Sequence, residues 1–228
     1  MQKIVVLTGA GMSVESGLKT FRDQDGLWNN YKIEEVASPI AWKREPKMVL
    51  DFYNQRRKQL FELEPNIAHY SLVKLEDKFD VQIITQNVDD LHERAGSANV
   101  SHLHGELKKA RSTLDESLVY QMDGWELKLG DFCEKGSQLR PHIVWFGESV
   151  PNFSKASEIV ANADILIVIG TSLTVYPAAL LINEAPTESI KYLIDPNAPN
   201  NISLRNLTVH RKTAAEGLPE LVKQLLQN

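Results

Sequence analysis

The sequence of 228 residues carries a single cysteine, Cys133, which excludes an intramolecular disulfide and any site that needs two or more thiolates. It has no excess of positive charge. Its 25 Lys and Arg stand against 30 Asp and Glu, a net charge of −5, and the pI lies near 5.7. Holding nucleic acid by bulk charge requires a basic face, so no nucleic-acid partner is expected. No apolar run approaches the ~18–20 residues that span a bilayer. The opening residues, Met1-Gln2-Lys3-Ile4, enter a strand-like segment without a basic region, apolar stretch and cleavage site. No membrane partner is therefore expected, and the expected location is cytoplasmic. Internal repeats, low-complexity tracts and long charge runs are lacking too, which argues against a solenoid or a disordered tail. Nothing here predicts an oligomer. What is present is an ordinary globular balance, 43% hydrophobic and 24% charged, in a chain long enough for one large domain with a small appendage.

Short β-branched runs alternate with helical patterns. Ile4–Leu7, Val81–Thr85, Ile165–Ile169, Ile190–Ile194 and Leu207–Val209 read as strands, and Pro46–Phe61, Asn66–Lys78, Ser154–Asn162 and Gly217–Gln227 as helices. Near-continuous apolar strands are expected where a parallel sheet is covered on both faces. The alternation predicts an α/β fold, a doubly wound, Rossmann-like, mostly parallel sheet. Two stretches break the rhythm, Phe21–Trp42 and Glu106–Leu139, the latter punctuated by Gly124, Gly130 and Gly136. Both read as insertions forming a small inserted domain over the carboxyl edge of the sheet. The expected division is a cofactor-binding domain over about 1–20, 66–105 and 140–228, with a small module over about 21–65 and 106–139.

Four constellations could carry chemistry. Gly9-Ala10-Gly11 follows the first strand; two glycines let backbone approach a pyrophosphate, and a helix starting there would aim its free N–H groups at the anion. A tight structural turn is the alternative. The third glycine of the dehydrogenase fingerprint would fall at 14, where this chain has Val14, which counts against hydride transfer. Phe21-Arg22 and Trp28 come next; Arg22 can pair bidentately with phosphate, or make a surface ion pair while the aromatics pack. Gln86-Asn87-Val88-Asp89 ends an inner strand, where ligand contacts gather in such sheets, although Asn87 or Asp89 also suits a helix start. His102-Leu103-His104-Gly105 offers a general base. Position alone does not choose among six histidines.

Taken together, these blocks resemble the sirtuin family of NAD-dependent protein-lysine deacylases. The matching segments run GAGMSVESGLKTFRDQDGLW from Gly9, TQNVDDLHERAG from Thr85, His104-Gly105, LRPHIVWFGESVP from Leu139 and GTSLTVYPA from Gly170, in the family's order and over nearly the whole chain. The resemblance implies NAD as a consumed co-substrate and acylated lysine in proteins or peptides as the partner, with nicotinamide and O-acyl-ADP-ribose released. It assigns NAD contacts to Gly9, Ala10, Gly11, Ser13, Phe21, Arg22 and Trp28 from the first motif. Around the nicotinamide ribose it sets Gln86, Asn87 and Asp89. Gly170, Thr171 and Ser172 fall at phosphate or ribose, and Asp195, Asn197 and Ala214 near the adenosine end. It makes His104 the general base and gives Asn87 the task of positioning ribose or water. Val144, Phe146, Gly147, Glu148 and Val175 would flank the substrate peptide as an added strand.

Two departures refine the expectation. Most sirtuins hold zinc with two Cys-x-x-Cys pairs; here Ser112 and Asp115 fall at the first pair, Cys133 and Gly136 at the second. Ser and Gly are poor zinc ligands, so zinc is not expected, no metal ligand is assigned, and packing through Leu114, Leu118, Trp125, Leu127 and Phe132 is expected to hold the module. The second departure is Tyr53 and Arg56, on one face of a predicted helix. They resemble the Tyr-x-x-Arg pair of sirtuins that remove succinyl and malonyl groups, since a guanidinium beside a phenol can capture a carboxylate. A solvated face is the alternative for the basic run Arg56-Arg57-Lys58. Ala37 fits a roomy acyl pocket. A non-catalytic NAD-binding module that senses acyl-lysine, and a plain deacetylase, are the alternatives.

Overall fold

Each inner strand buries both of its faces, which is why its sequence reads as an unbroken apolar run. In the computed structural model, which describes residues 1–18, 31–171, 176, 178–200 and 202–227, six strands form one parallel sheet. They are β1 (Lys3–Thr8), β2 (Asp80–Thr85), β3 (Val100–His102), β7 (Ile165–Ile169), β8 (Ile190–Ile194) and β9 (Leu207–His210). Their order is β3-β2-β1-β7-β8-β9, with every pair parallel. The order reverses between β1 and β7. That switch point opens a crevice at the carboxyl ends of the strands.

Alternate residues of β1 face opposite layers. Ile4 and Val6 join Ile83 and Ile167 under α4 (Ile67–Leu75) and α7 (Ala214–Gln227), through Ala68, Leu72, Leu218 and Leu221. Val5 and Leu7 join Ile84, Leu166 and Val168 under α6 (Phe153–Val160), through Ala156 and Val160. Side chains this fully buried contribute about 1.5–3 kcal/mol each. The predicted strands lie within a residue or so of the observed ones. Helix α7 begins three residues before the expected Gly217, because Thr213 and Glu216 cap it reciprocally: Glu216 N donates to Thr213 Oγ1 and Thr213 N to Glu216 Oε2. That pair was legible as a capping box.

The second layer departs further from expectation. On one side the 21–65 segment folds as α1 (Ile33–Val36), α2 (Pro39–Arg44) and α3 (Pro46–Phe61). On the other is a three-stranded antiparallel sheet of β5 (Val119–Gln121), β4 (Gly105–Ser112) and β6 (Leu139–Ile143). The sequence reading put residues 140–143 in the larger domain, whereas they form an outer strand of the small sheet. Ser38 caps α2 by accepting from Ala41 N, with Pro39 opening the helix.

The small module is not held as expected. Leu114 and Phe132 are exposed (72% and 60%) and Trp125 is partly so. Only Leu127 of that set is buried, against Leu50 of α3 and Ala110 of β4. So short a segment cannot close a core of its own, and its apolar burial happens at the joint with α3. Its far corner is polar. Ser112 Oγ accepts the amides of Leu114 and Asp115 and shares a hydrogen bond with Ser137 Oγ at 2.8 Å. The Cys133 thiol points at Ser112 Oγ, and Asp115 pairs with Lys135 at 2.7 Å. Among the described residues, no group of three or more His, Cys, Asp or Glu could hold a metal ion, and no helix is long and apolar enough to cross a membrane.

Arg57 also overturns the solvated-face reading at its position. Its side chain is fully buried and donates to the carbonyls of Leu107 and Trp125 and to Asn54 Oδ1. Asn54 in turn bonds the Leu127 main chain in both directions. Burial without a carboxylate partner pushes the Arg57 guanidinium down to about 10. Truncating Arg57 strips partners from several buried acceptors. Arg57→Ala is expected to lower unfolding free energy by about 3 kcal/mol or more. Lys58→Ala next door, which loses only a cation–π contact with Trp125, should change it by about 1 kcal/mol or less; urea denaturation of both variants checks the contrast.

Candidate active site

The site grows from the two loops that leave β1 and β7 at the switch point. Gly9 N donates to Ile169 O and Gly11 N to Gly170 O, both at 2.9 Å. A Cβ on Gly11 would lie 2.6 Å from Gly170 Cα. One on Gly170, whose φ is +60°, would lie 2.5 Å from Met12 N. These glycines are required by main chain crossing main chain. Of the two readings left open for this loop, the described residues form the tight turn, as two 3-10 turns, Ala10–Met12 and Val14–Ser16, with Met12 N and Ser13 N bonded to Gly9 O and Ala10 O. These described residues therefore present no α-helix N-terminus to an anion, and the loop amides at Gly9, Gly11, Met12 and Ser13 are already committed.

Beneath this crossing the end of β2 delivers a buried polar cluster. Asn87 N donates to Thr85 Oγ1, and Asn87 Nδ2 donates to Gly9 O and Ser13 Oγ at 3.1 and 3.2 Å. Its amide oxygen remains as an acceptor. Ser13 Oγ donates to Asp89 Oδ2, and Asp89 Oδ1 accepts from Leu91 N at the start of α5 (Leu91–Ala95). The helix start expected at Asn87 or Asp89 falls one residue later, with Asp90 at the N-cap position, and Asp89 steadies the first turn from outside it. Burial pushes the Asp89 carboxyl up, against the effect of those two hydrogen bonds. Gln86 Nε2 reaches Thr171 Oγ1 across the crevice at 3.3 Å.

His104 is half-buried at the same edge, and its Nδ1 lies 3.1 Å from Gln86 O. A carbonyl only accepts, so Nδ1 carries the proton and Nε2 keeps its lone pair. Burial lowers the pKa of His104, which favours the neutral ring that a base requires. His102, named in the sequence only as a competitor, is buried two residues away with both ring nitrogens bonded.

On the small-module side, Trp145 Nε1 donates to the Tyr53 hydroxyl at 3.0 Å, which leaves the phenolic hydrogen for another acceptor. Burial drives the Tyr53 hydroxyl up to about 12. Arg56 is half-buried on the same helix; burial works against its charge, while Tyr53 and the Asp89 carboxylate favour it. Ala37 O accepts from Phe146 N, and Phe146 and Gly147 are exposed. Glu148 has a different task from its neighbours. Its carboxylate is engaged by Arg140 at 2.6 Å, Arg111 at 3.2 Å and Trp145 N, with the Arg140 guanidinium 3.3 Å from the centre of the Trp145 ring. Its side chain braces the 144–148 segment. Val144 N bonds His104 O, tying that segment to the base.

Asp195 follows β8 and accepts from Asn197 N, and Ala214 opens α7 in the core. Phe21, Arg22, Trp28, Ser172 and Val175 lie outside the described residues. The donor set around the crevice consists of amides, hydroxyls, one neutral imidazole and a buried carboxyl whose charge burial disfavours. That set fits the riboses and the carboxamide of a nicotinamide dinucleotide.

The comparisons with known proteins agree with this geometry. Residues 9–177 match the Sir2 family. The chain is 53% identical over 229 residues to an NAD-dependent protein deacylase of Helicobacter pylori, covering 100% of this chain and 99% of that one. It is similar to the crystal structure of a Sir2 homolog–NAD complex, with TM-score 0.89 and 40% identity over 99% of this chain and 90% of the other. It is also similar to Sir2 bound to acetylated peptide, with TM-score 0.81 and 28% identity over 99% and 94%.

A pair of buried histidines under the site fixes its acid limit. His92 Nε2 meets Thr8 Oγ1 at 3.1 Å and packs edge-on against His69, ring centres 4.9 Å apart. Burial lowers His69 to about 4 and His92 well below its usual value. A histidine depressed on folding contributes stability above its unfolded value near 6.5, and that stability is lost as pH falls toward the folded value; for His69 it amounts to about 3 kcal/mol. Unfolding free energy should therefore fall steeply between about pH 6.5 and 4. His69→Gln keeps a helix-capping acceptor and should flatten that slope when denaturant midpoints are measured across the range.

Proposed function

This chain belongs to the Sir2 family, and on that premise we propose that it is an NAD-dependent protein-lysine deacylase that accepts succinyl and malonyl groups alongside acetyl. The observation that carries the deacylase reading is the tautomer of His104, a neutral ring whose Nε2 has no hydrogen-bond partner among the described residues, at the sheet edge that also delivers Asn87. NAD, when bound, supplies the ribose carbon that accepts the acyl oxygen and the framework that carries the acyl group away. The chain's own residues bind and move protons. His104 Nε2 takes a proton from a ribose hydroxyl, Nδ1 remaining bonded to Gln86 O. Asn87 offers its amide oxygen to a hydroxyl or water while its nitrogen stays anchored to Gly9 and Ser13. Gln86, Thr171 and the Gly9–Ser13 loop would hold the dinucleotide.

The acidic-acyl preference is supported by Tyr53 and Arg56. The phenol has its oxygen bonded by Trp145 and its hydrogen still to donate, and the guanidinium lies within the field of Asp89. A phenol and a cation in a desolvated pocket suit a terminal carboxylate. We also read the small module as metal-free, a reading supported by Ser112, Ser137 and the Asp115–Lys135 pair, which occupy the corner with mutually satisfied hydrogen bonds.

One assay tests these readings: NAD-dependent release of succinyl and acetyl from the same lysine peptide, with a chelator present. Succinyl turnover that requires NAD and survives the chelator is the expected result. His104→Ala should abolish turnover of both peptides while leaving the thermal transition in place; full turnover in that variant would remove His104 from the mechanism. Arg56→Met should raise KM for the succinyl peptide far more than for the acetyl peptide, the lost charge-assisted contact costing about 2–3 kcal/mol. Equal effects on both peptides would assign Arg56 to structure alone.

A further inference from the structure

Histidine 102 ends β3, 7% exposed, between two groups that only accept hydrogen bonds. Its Nδ1 lies 2.9 Å from the main-chain oxygen of Asn87 and its Nε2 lies 2.8 Å from Glu93 Oε1. A neutral imidazole has one N–H and would turn a lone pair toward one of these oxygens at under 3 Å. We propose that His102 is a positioning residue of the reaction, an imidazolium whose Nδ1–H holds the Asn87 peptide, and with it the Asn87 amide, in its working place. The proposal rests on the deacylase reading for what Asn87 does; the protonation of the ring does not.

The surroundings favour the charged ring. Burial opposes it, but the hydrogen bond and charge of Glu93, the Asn87 carbonyl and Glu106 on β4 together outweigh burial and raise the His102 pKa, while the Glu93 carboxyl is held below its usual range. Asp89 also faces the ring's charge, and His92 on α5 is neutral. Lys109, beside Glu93, acts on the carboxylate. Lys155 lines the same cleft of about 830 Å³, which Glu93, His102 and Glu106 border. Glu93 is 41% exposed there, and this is the route by which the buried ring exchanges its proton with solvent.

Deprotonation has a definite structural cost. A carboxylate is a stronger acceptor than an amide carbonyl. The one remaining proton therefore settles on Nε2, facing Glu93, and Nδ1 turns a lone pair against Asn87 O. The peptide between Asn87 and Val88 is then pushed from its place. With Glu93→Gln the outcome differs, because the glutamine amide can donate to Nε2 and the neutral ring keeps Nδ1–H on Asn87. The sign follows: a raised His102 value means that positioning is complete below it and is lost as pH rises through it.

The test combines NMR and kinetics on the full chain. Ring-nitrogen shifts should show His102 doubly protonated at about pH 7, in contrast to His69 and His92, and the Val88 amide should shift as His102 titrates. The ratio of kcat at about pH 9 to that at about pH 7 should be at least about threefold higher in Glu93→Gln than in the natural chain. A singly protonated His102 ring at about pH 7, a Val88 amide indifferent to its titration, or equal kcat ratios in the two proteins would overturn the proposal. The NMR readings stand whatever acyl group the enzyme prefers, and they need only the folded natural chain. A failure of the deacylase reading is therefore distinguishable from a failure of this one.

Discussion

Everything at the carboxyl edge depends on the contact between two loops that cross at main-chain distance. Gly11 donates to Gly170 O while their α-carbons stand where no Cβ fits. This crossing holds the exits of β1 and β7 together at the one place where the strand order reverses. Asn87 depends on it directly, since its side chain donates to Gly9 O. Through Ser13 the same loop also holds Asp89. A side chain on either glycine would part the loops and take the polar cluster with them.

Around that crossing, the molecule places charge inside where carboxylates, carbonyls or an aromatic face meet it. The Glu148 carboxylate sits between Arg111 and Arg140, with Arg140 stacked on Trp145. Arg57 is surrounded by carbonyl oxygens, and His102 spans Asn87 and Glu93. Such arrangements are costly to break from one side, because the partner is left buried and charged. They add little net stability when intact and instead select one geometry. Each here braces a different wall of the crevice: the 144–148 segment, the joint between α3 and the small module, and the Asn87 peptide.

The small module closes its far corner with hydrogen bonds and one ion pair. A serine hydroxyl at 112 accepts two backbone amides and shares its proton with Ser137. An ion pair from Asp115 to Lys135 closes the corner. Apolar burial shifts to the face against α3, where Leu127 meets Leu50 and Ala110. The module leans on its neighbour in place of a core of its own, and its tip is left with exposed Leu114 and Phe132.

The sequence alone determined the parallel sheet, since strands such as Ile165–Ile169 carry apolar residues at every position and only two-sided burial explains that. It also determined helix α3 to the residue and the motifs that mark His104, Asn87 and the Gly9 loop. Tertiary structure decided what no local pattern encodes. The glycines of the first loop face a partner 159 residues away at Gly170, so their purpose could not be read from the loop itself. Arg56 and Arg57 are adjacent in one basic run, yet one is half-buried toward the site and the other is sealed among carbonyls, because successive helix positions point about 100° apart. The strands of the small sheet were missed because β4 alternates weakly and β5 is largely exposed, leaving no apolar period to read. His102 and His104 have the same side chain and nearly the same address. One faces two acceptors and the other a single carbonyl, and that difference, which sets the proton count on each ring, exists only once the chain has folded.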